Sequence, residues 1–175
     1  STNPIAGVSD SLFLVASRPT AWTQLFPEAY ITPGPDQRNW VHRANMVAPR
    51  VIRTGPAEMS LYVSRHYTFP TAHLERMTLR LDGFGAWRAS AAEGTLTTSS
   101  LRVKGRKLVL NYATSAAGAL KVSIRKENGQ PLPGWDFDDH PPLFGDEVER
   151  AIELGDSQAR LIIENEPVRL HFRLK

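Results

Sequence analysis

The stretch Leu120-Lys121-Val122-Ser123-Ile124-Arg125 alternates strictly between apolar and polar side chains. Successive side chains of an extended strand point to opposite faces of a sheet, so this alternation predicts a strand with one buried face and one solvated face. The stretch Leu108-Val109-Leu110-Asn111-Tyr112 repeats the pattern, with Leu108, Leu110 and Tyr112 on the same side. Together the two stretches favour an antiparallel sheet whose inner face covers a core.

Further runs with this two-residue period occupy much of the chain after residue 58. They are Met59–Ser64, Met77–Leu81, Thr95–Leu101, Val148–Leu154, Arg160–Ile163 and Val168–Leu174. Turn-forming residues separate the runs at the short spacing typical of antiparallel sheets. These turns are Asp82-Gly83, Lys104-Gly105-Arg106, Asn128-Gly129 and Leu154-Gly155-Asp156. Many short strands without intervening helices predict an all-β protein with an antiparallel, jelly-roll-like β-sandwich.

The first 58 residues have a different character. Short apolar pieces there are interrupted by prolines, and Trp22 and Trp40 are embedded among them. This composition predicts short strands joined by long loops. Since the character changes near Thr71–Glu75, the sequence predicts an N-terminal β and loop segment over residues 1–74 and a sandwich domain over residues 75–175.

Composition excludes several classes of function. The 175 residues are 41% hydrophobic and 22% charged, which is ordinary for a globular protein. The absence of cysteine excludes disulfides, thiolate catalysis and thiolate zinc sites. No apolar run approaches the roughly 20 residues of a membrane helix, so no membrane partner is expected. The net charge of +3 is mild and the basic residues form no dense tract, which argues against a nucleic-acid partner.

The start of the chain gives little information about localisation. Ser1-Thr2-Asn3-Pro4 is not a basic start followed by a long apolar stretch. A signal peptide has therefore either been removed or was never present.

The segment from Met77 to Lys175 resembles a C-terminal β-sandwich of proteins related to five-bladed β-propeller glycoside hydrolases of the arabinanase and invertase type. The resemblance is carried by Leu79–Phe84, Glu93–Thr98, Leu108–Tyr112, Gly129–Gly134, Leu143–Arg150 and Pro167–Lys175. Upstream, Glu28–Ile31, Asn39-Trp40 and Thr54–Tyr62 look like the last propeller blade of such proteins. Around Gly155–Glu166 the chain departs from the family, because a more apolar stretch replaces the usual glycine- and serine-rich turn.

The resemblance implies glycan biology without a glycosidase active site. The catalytic carboxylates of these propellers lie on earlier blades, which this chain does not contain. It therefore implies a polysaccharide or oligosaccharide partner, a possible β-propeller catalytic domain as second partner, and no enzymatic activity of the chain alone. An extracellular or periplasmic location is favoured on the same ground.

Aromatic residues in loops are the candidate ligand-binding residues. A sugar ring has an apolar C–H face on which a flat aromatic side chain can stack. Trp87 and Trp135 follow turn-forming residues, and Trp40 and Tyr67 complete the candidate set. The alternative for each is a place in the core or a loop plug, which is expected above all for Tyr112, whose strand position reads as buried.

Acidic residues and histidines are weaker candidates for metal binding. The loop with Asp138, Asp139 and Asp146 could offer oxygens to Ca²⁺, but its spacing matches no EF-hand, and turn capping with ion pairing explains it better. No cofactor is therefore expected. His66, His73 and Glu75 are candidate ligands for a cupin-like metal centre. Such a centre is expected to have two histidines one residue apart on a strand, and this pair is missing. Paired carboxylates for glycoside hydrolysis can be nominated, Asp82 with Glu93 or Asp139 with Asp146, but nothing in the sequence fixes their separation.

Three hypotheses about function follow from these observations. The first is a non-catalytic carbohydrate-binding or accessory module of a glycan-degrading protein. The second is a purely structural domain that braces a propeller. The third is a small metal-dependent enzyme acting on polysaccharide. The loop aromatics favour the first over the second, and the missing histidine pair argues against the third.

Overall fold

A computed structural model describes residues 7–90, 92–154 and 158–175 of the chain. Over these residues it has ten β-strands, one short 3₁₀ helix at Gln37–Asn39 and one α-helix. The strands are β1 (Leu14–Arg18), β2 (Ala21–Gln24), β3 (Ile52–Arg53), β4 (Glu58–Arg65), β5 (His73–Arg80), β6 (Gly94–Thr97), β7 (Lys107–Ala113), β8 (Leu120–Lys126), β9 (Asp146–Glu153) and β10 (Val168–Leu174). The helix α1 spans Gln158–Asn165.

All pairings between these strands are antiparallel. The sheets have the orders β1-β2, β3-β4-β5, β6-β10-β8 and β7-β9. The prediction of an all-β, antiparallel, sandwich-like fold is therefore confirmed. No helix among the described residues is long and apolar enough to cross a membrane.

The chain forms two compact units, residues 1–84 and residues 85–175. The sequence placed the change of character ten residues earlier, between residues 74 and 75. The pairing of β5 accounts for the difference, because β5 is matched along its whole length to β4, from Glu58 opposite Arg80 to Arg65 opposite His73. This hairpin places residues 75–84 with the first unit.

The first unit is built on β4. Its core contains Ile31, Leu61 and Val63, with Met77 and Leu79 of β5 packed against it. Leu61 and Val63 alternate with the partly exposed Tyr62 and Ser64, so the apolar face of the strand covers this core as its alternation predicts.

The second unit is a small sandwich. Ile124 of β8 and Val168 of β10 contribute one side of the core, and Leu108 of β7 and Ile152 of β9 pack against it from the other sheet. The remaining buried members of the cluster come from loops and the helix: Leu132, Trp135, Leu154, Ala159 and Ile163. A sheet of three strands and a sheet of two strands thus share one apolar interior.

The predicted strand at Arg160–Ile163 is wrong, because these residues belong to α1. Ala159 and Ile163, four residues apart, are both buried in the core, which is the spacing of one helical face. Arg160 and Glu164 form an ion pair at the same spacing, with 3.0 Å between Nε and Oε1. A short apolar run does not distinguish strand from helix, and the core contacts decide here. Of the predicted turn Leu154-Gly155-Asp156, Gly155 and Asp156 lie outside the described residues.

Candidate functional site

A polar pocket of about 380 Å³ lies in the first unit. One side is the loop Pro33–Asp36 together with Asn39 of the 3₁₀ helix. The other side is formed where β4 ends and β5 begins, by Arg65, His66, His73 and Glu75. The hairpin β4-β5 therefore brings both histidines and the glutamate into one place.

Asp36 is the most strongly held acid of the pocket. It caps the 3₁₀ helix by accepting a hydrogen bond from the amide of Arg38 at 3.0 Å, and its other oxygen accepts one from the Arg38 Nη2 at 2.8 Å. These hydrogen bonds from Arg38 hold the pKa of Asp36 well below its usual range. Asp36 is consequently an ionised acceptor at neutral pH.

His66 links Asp36 to a hydroxyl group. Its Nε2 lies 3.1 Å from the ionised Asp36 Oδ2, which can only accept, so Nε2 carries the proton and donates it. In a neutral imidazole Nδ1 is then an acceptor, and the Thr71 hydroxyl, 2.9 Å away, donates to it. The ring of His73 stands edge-on to that of His66 with centroids 4.8 Å apart. The pocket thus contains an ordered carboxylate–imidazole–hydroxyl chain.

Arg65 is a buried cation, with 8% of its surface exposed. Its Nε donates to Glu75 at 2.6 Å, and its Nη1 donates to the carbonyl of Thr32 at 3.1 Å and to the side-chain oxygen of Asn45. Because a buried guanidinium needs such partners, this network fixes the orientation of the Glu75 carboxylate at the pocket.

Backbone of unusual conformation occurs at the lining residue His66 and at further residues of the first unit that do not line the pocket. Arg43, Asn45, His66 and Thr68 all have positive φ, between 53° for His66 and 78° for Thr68. Few non-glycine residues adopt this region, and surrounding contacts usually support those that do. At His66 the contact is the backbone amide, which donates to the Asn39 side chain at 3.1 Å. The strain is therefore offset by bonds that place the imidazole in the pocket.

Two of the predicted aromatic residues, Trp40 and Tyr67, directly follow lining residues of this pocket in the chain. Trp40 is 55% exposed, and its indole N–H donates to the carbonyl of the lining residue Gly34 at 2.9 Å. Tyr67 directly follows His66, and its hydroxyl accepts a hydrogen bond from Arg43 at 3.3 Å. Both rings are accessible while their polar atoms are restrained, which limits the conformational freedom lost when a ligand stacks on them.

The other predicted aromatic residues are elsewhere. Trp135 is 3% exposed and belongs to the core of the second unit, contrary to its interpretation as an exposed loop platform. Trp87 is 77% exposed in the second unit. Tyr112 is half-buried on β7, where its hydroxyl donates to the carbonyl of Phe144 at 3.2 Å. Trp87 and Trp135 therefore belong to the second unit, whereas Trp40 and Tyr67 belong to the first.

The acidic loop is occupied with internal contacts. Asp138 accepts a hydrogen bond from Lys121 at 2.6 Å, which lowers the pKa of Asp138, and Asp139 accepts one from the amide of Asp136 at 2.7 Å. Asp146 lies on β9, opposite Ala113. Among the described residues no group of three or more acids and histidines is placed to hold a metal ion, and this includes His66, His73 and Glu75.

Sequence reasoning missed Asp36, Arg65 and Thr71. A usable signal existed for Arg65, which follows Leu61 and Val63 on the apolar face of β4. Glu75 occupies the same face of β5, opposite Val63. Two opposite charges on the apolar faces of paired strands predict an ion pair, in which Arg65 is buried and Glu75 is partly exposed. No comparable signal marked Asp36, which reaches His66 across 30 residues.

Comparison of the chain with protein-family models, with curated proteins and with solved structures returned no match.

Proposed function

We propose that this protein is a non-catalytic carbohydrate-binding module and that the polar pocket of the first unit is its binding site. The observation that carries the proposal is the position of the exposed indole of Trp40, whose N–H donates a 2.9 Å hydrogen bond to the carbonyl of the pocket residue Gly34. A sugar needs an apolar surface for its C–H face and hydrogen-bonding groups for its hydroxyls, and both lie together here.

The polar groups of the pocket suit sugar hydroxyls. Asp36 is ionised and Glu75 is held by Arg65, so each is an oriented acceptor. His73 uses Nδ1 to donate to the Thr71 carbonyl at 2.9 Å, which leaves its Nε2 for a ligand. Because these groups are already fixed, binding loses little side-chain entropy.

A binding role fits the pocket better than nucleophilic catalysis. The hydrogen bonds from Thr71 to His66 and from His66 to Asp36 connect a hydroxyl, an imidazole and a carboxylate as in a hydrolytic triad. In such triads the amide after the nucleophile can help to bind the oxyanion. Here that amide, of Ala72, donates to the carbonyl of Phe69 at 3.0 Å. An acyl-transfer step would lack this donor, whereas a bound hydroxyl does not need it.

The wider context of the proposal is the resemblance of Met77–Lys175 to the C-terminal sandwich of propeller glycoside hydrolases. It supports a polysaccharide or oligosaccharide ligand and a catalytic domain of propeller type as partner. One observation favours the second hypothesis, a domain that braces such a propeller. The hairpin β1-β2 exposes Leu14, Val15 and Trp22 although it is only two strands wide.

The test compares Trp40→Ala with Trp87→Ala by retention in polysaccharide gels and by calorimetry on the oligosaccharides that retain the protein. Loss of a stacking partner weakens binding by about 1–3 kcal/mol, so we expect Trp40→Ala to raise Kd roughly 5- to 150-fold. Trp87 is a matched exposed tryptophan of the other unit, and its removal leaves Kd unchanged. Both variants keep the melting temperature of the wild type to within a few degrees.

Two outcomes contradict the proposal. If the wild type binds no glycan of a broad plant and microbial panel, the bracing role becomes the better account. If Trp87→Ala abolishes binding while Trp40→Ala does not, the sugar site lies in the second unit instead.

A further inference from the structure

The second unit contains an apolar cleft of about 330 Å³. Val122 of β8 and the end of β9, Arg150–Glu153, form two of its sides. The segment His140–Leu143 forms a third, held in place by two backbone hydrogen bonds of 3.0 and 2.8 Å between Leu143 and Leu120. Its size is at the lower end of the range of small-molecule sites.

The lining offers few hydrogen-bonding groups. Trp135 lines the cleft from the core, with the His140 ring 4.5 Å from its own. Pro141 and Pro142 have no backbone N–H, so this side presents rings without amide donors. The space therefore fits an apolar or aromatic group.

Arg150 is an exception to the apolar lining. In the pairing of β7 and β9, Arg150 is opposite Leu110 and Ile152 is opposite Leu108, so Arg150 and Ile152 share a face. Ile152 and Leu108 pack against the core on that face. A strand that follows its own pattern would have an apolar residue at position 150, yet β9 has an exposed arginine there that lines the cleft.

Arg150 is an exposed residue of β9. Within the described part of the chain, no carboxylate forms an ion pair with it. The other charged residue of the cleft, Glu153, is paired with Lys107 at 2.9 Å. Among the described residues, the cleft thus combines an apolar lining with an arginine that forms no ion pair.

We propose that this cleft binds a small apolar carboxylate, with its ring or chain against Val122, Trp135 and Ile152 and its carboxylate on Arg150. Arginine presents two parallel N–H groups that match a carboxylate, and pairing beside an apolar surface strengthens such hydrogen bonds. This site belongs to the second unit and is independent of the sugar site proposed in the first.

The test uses 2-naphthoate as the probe and the uncharged 2-naphthamide as its matched control, with binding followed by amide chemical shifts of the full chain. We expect 2-naphthoate to shift the amide signals of His140, Leu143 and residues 150–153 and to bind at least about tenfold more tightly than the amide. Arg150→Gln reduces naphthoate affinity by about the same factor and leaves the affinity for the amide unchanged. Arg102→Gln, which removes an exposed charge outside the cleft, has no effect.

Several results would overturn the proposal. Equal affinity for the two probes on the wild-type protein would show that Arg150 does not select a carboxylate, and this comparison does not depend on any variant folding. Absence of shifts at millimolar naphthoate, or shifts confined to residues outside the cleft, would remove the site altogether. If Arg150→Gln and Arg102→Gln lost equal naphthoate affinity, the preference for the carboxylate would come from the general positive charge of the protein and not from Arg150.

Discussion

At the scale of single residues, Trp135 and Trp87 have similar sequence surroundings and opposite environments. Each follows a short turn-forming stretch, Pro133-Gly134 and Gly85-Ala86 respectively. Trp135 is buried because the loop after β8 returns to that strand, with the amide of Ile124 donating to its carbonyl at 3.0 Å. Trp87 has no such return and stays exposed.

The two tryptophans should therefore differ in their effect on stability. We expect Trp135→Ala to lower the free energy of unfolding by about 3–5 kcal/mol, because it empties the centre of a core. Trp87→Ala should change it by less than about 0.5 kcal/mol. Urea unfolding followed by circular dichroism measures both. Similar losses for the two variants would contradict the burial of Trp135 in the fold.

This pair also shows how far the sequence predicts the candidate site. Trp40 and Tyr67 could be nominated because exposed loop aromatics are a local feature. The partners that make a pocket beside Trp40 could not, since Asp36 and His66 meet only through the folding of a loop onto the β4-β5 hairpin. Long-range contacts of this kind leave no periodic trace in the chain.

At the scale of elements, β8 and β10 carry a basic face. Their register places Arg169 opposite Arg125 and Arg173 opposite Lys121, with His171 between them. Phe137 and the acids beside it lie against this face, and the Arg173 guanidinium is 4.2 Å from the Phe137 ring. The acidic loop is thus a cover for a basic sheet, which accounts for its carboxylates without a metal.

Burial, together with Arg125 and Arg169, lowers the pKa of His171. The unfolded chain, with an ordinary histidine pKa of about 6.5, binds this proton at a higher pH than the folded protein. The free energy of unfolding is therefore greatest above the unfolded-state pKa of about 6.5. It falls as the pH drops from there through the lowered pKa of the folded protein. The Nε2 of His171 is buried without a hydrogen-bond partner, so a proton there would add an unsatisfied donor.

The prediction is a pH-dependent difference between the wild type and His171→Gln. Lowering the pH from about 7.5 to about 5.5 should destabilise the wild type more than the variant, because glutamine does not titrate in this range. Melting temperatures at the two pH values measure the difference, and the other histidines contribute equally to both proteins. A difference that is independent of pH, or that grows in favour of the wild type on acidification, would contradict the lowered pKa.

Most strands after residue 58 were predictable from local pattern, whereas the helix α1 was not. Strands such as β4, β7 and β8 have one apolar face, so apolar and polar side chains alternate along their sequences. In α1 the adjacent Ile162 and Ile163 suit a strand equally well. What selects the helix is the burial of Ala159 with Ile163 in a core whose other members come from β8 and β10. These contacts are tertiary, so the local sequence does not show them.

At the scale of the whole molecule, each unit has a core of its own. Every member of the cluster around Leu61 and Val63 lies before residue 85, and every member of the cluster around Ile124 and Val168 lies after it. Because the described members of each core all come from its own unit, we expect each unit to fold without the other, on either side of the boundary between residues 84 and 85.

This boundary predicts how fragments of the chain behave. A fragment of residues 85–175 should unfold cooperatively on heating, and its melting temperature should fall when Trp135→Ala is introduced, because its strands and its core are intact. A fragment of residues 75–175 would carry most of β5 without β4. Met77 and Leu79 would then lie on an unpaired strand, so we expect this fragment to be less soluble.

The complementary N-terminal fragments distinguish the two boundaries further. Residues 1–84 keep the full β4-β5 pairing, whereas residues 1–74 lose nearly all of β5 and should not fold. If residues 1–74 and 75–175 each melted cooperatively and residues 1–84 gained nothing over residues 1–74, the change of composition near Thr71–Glu75 would mark the true division of the chain.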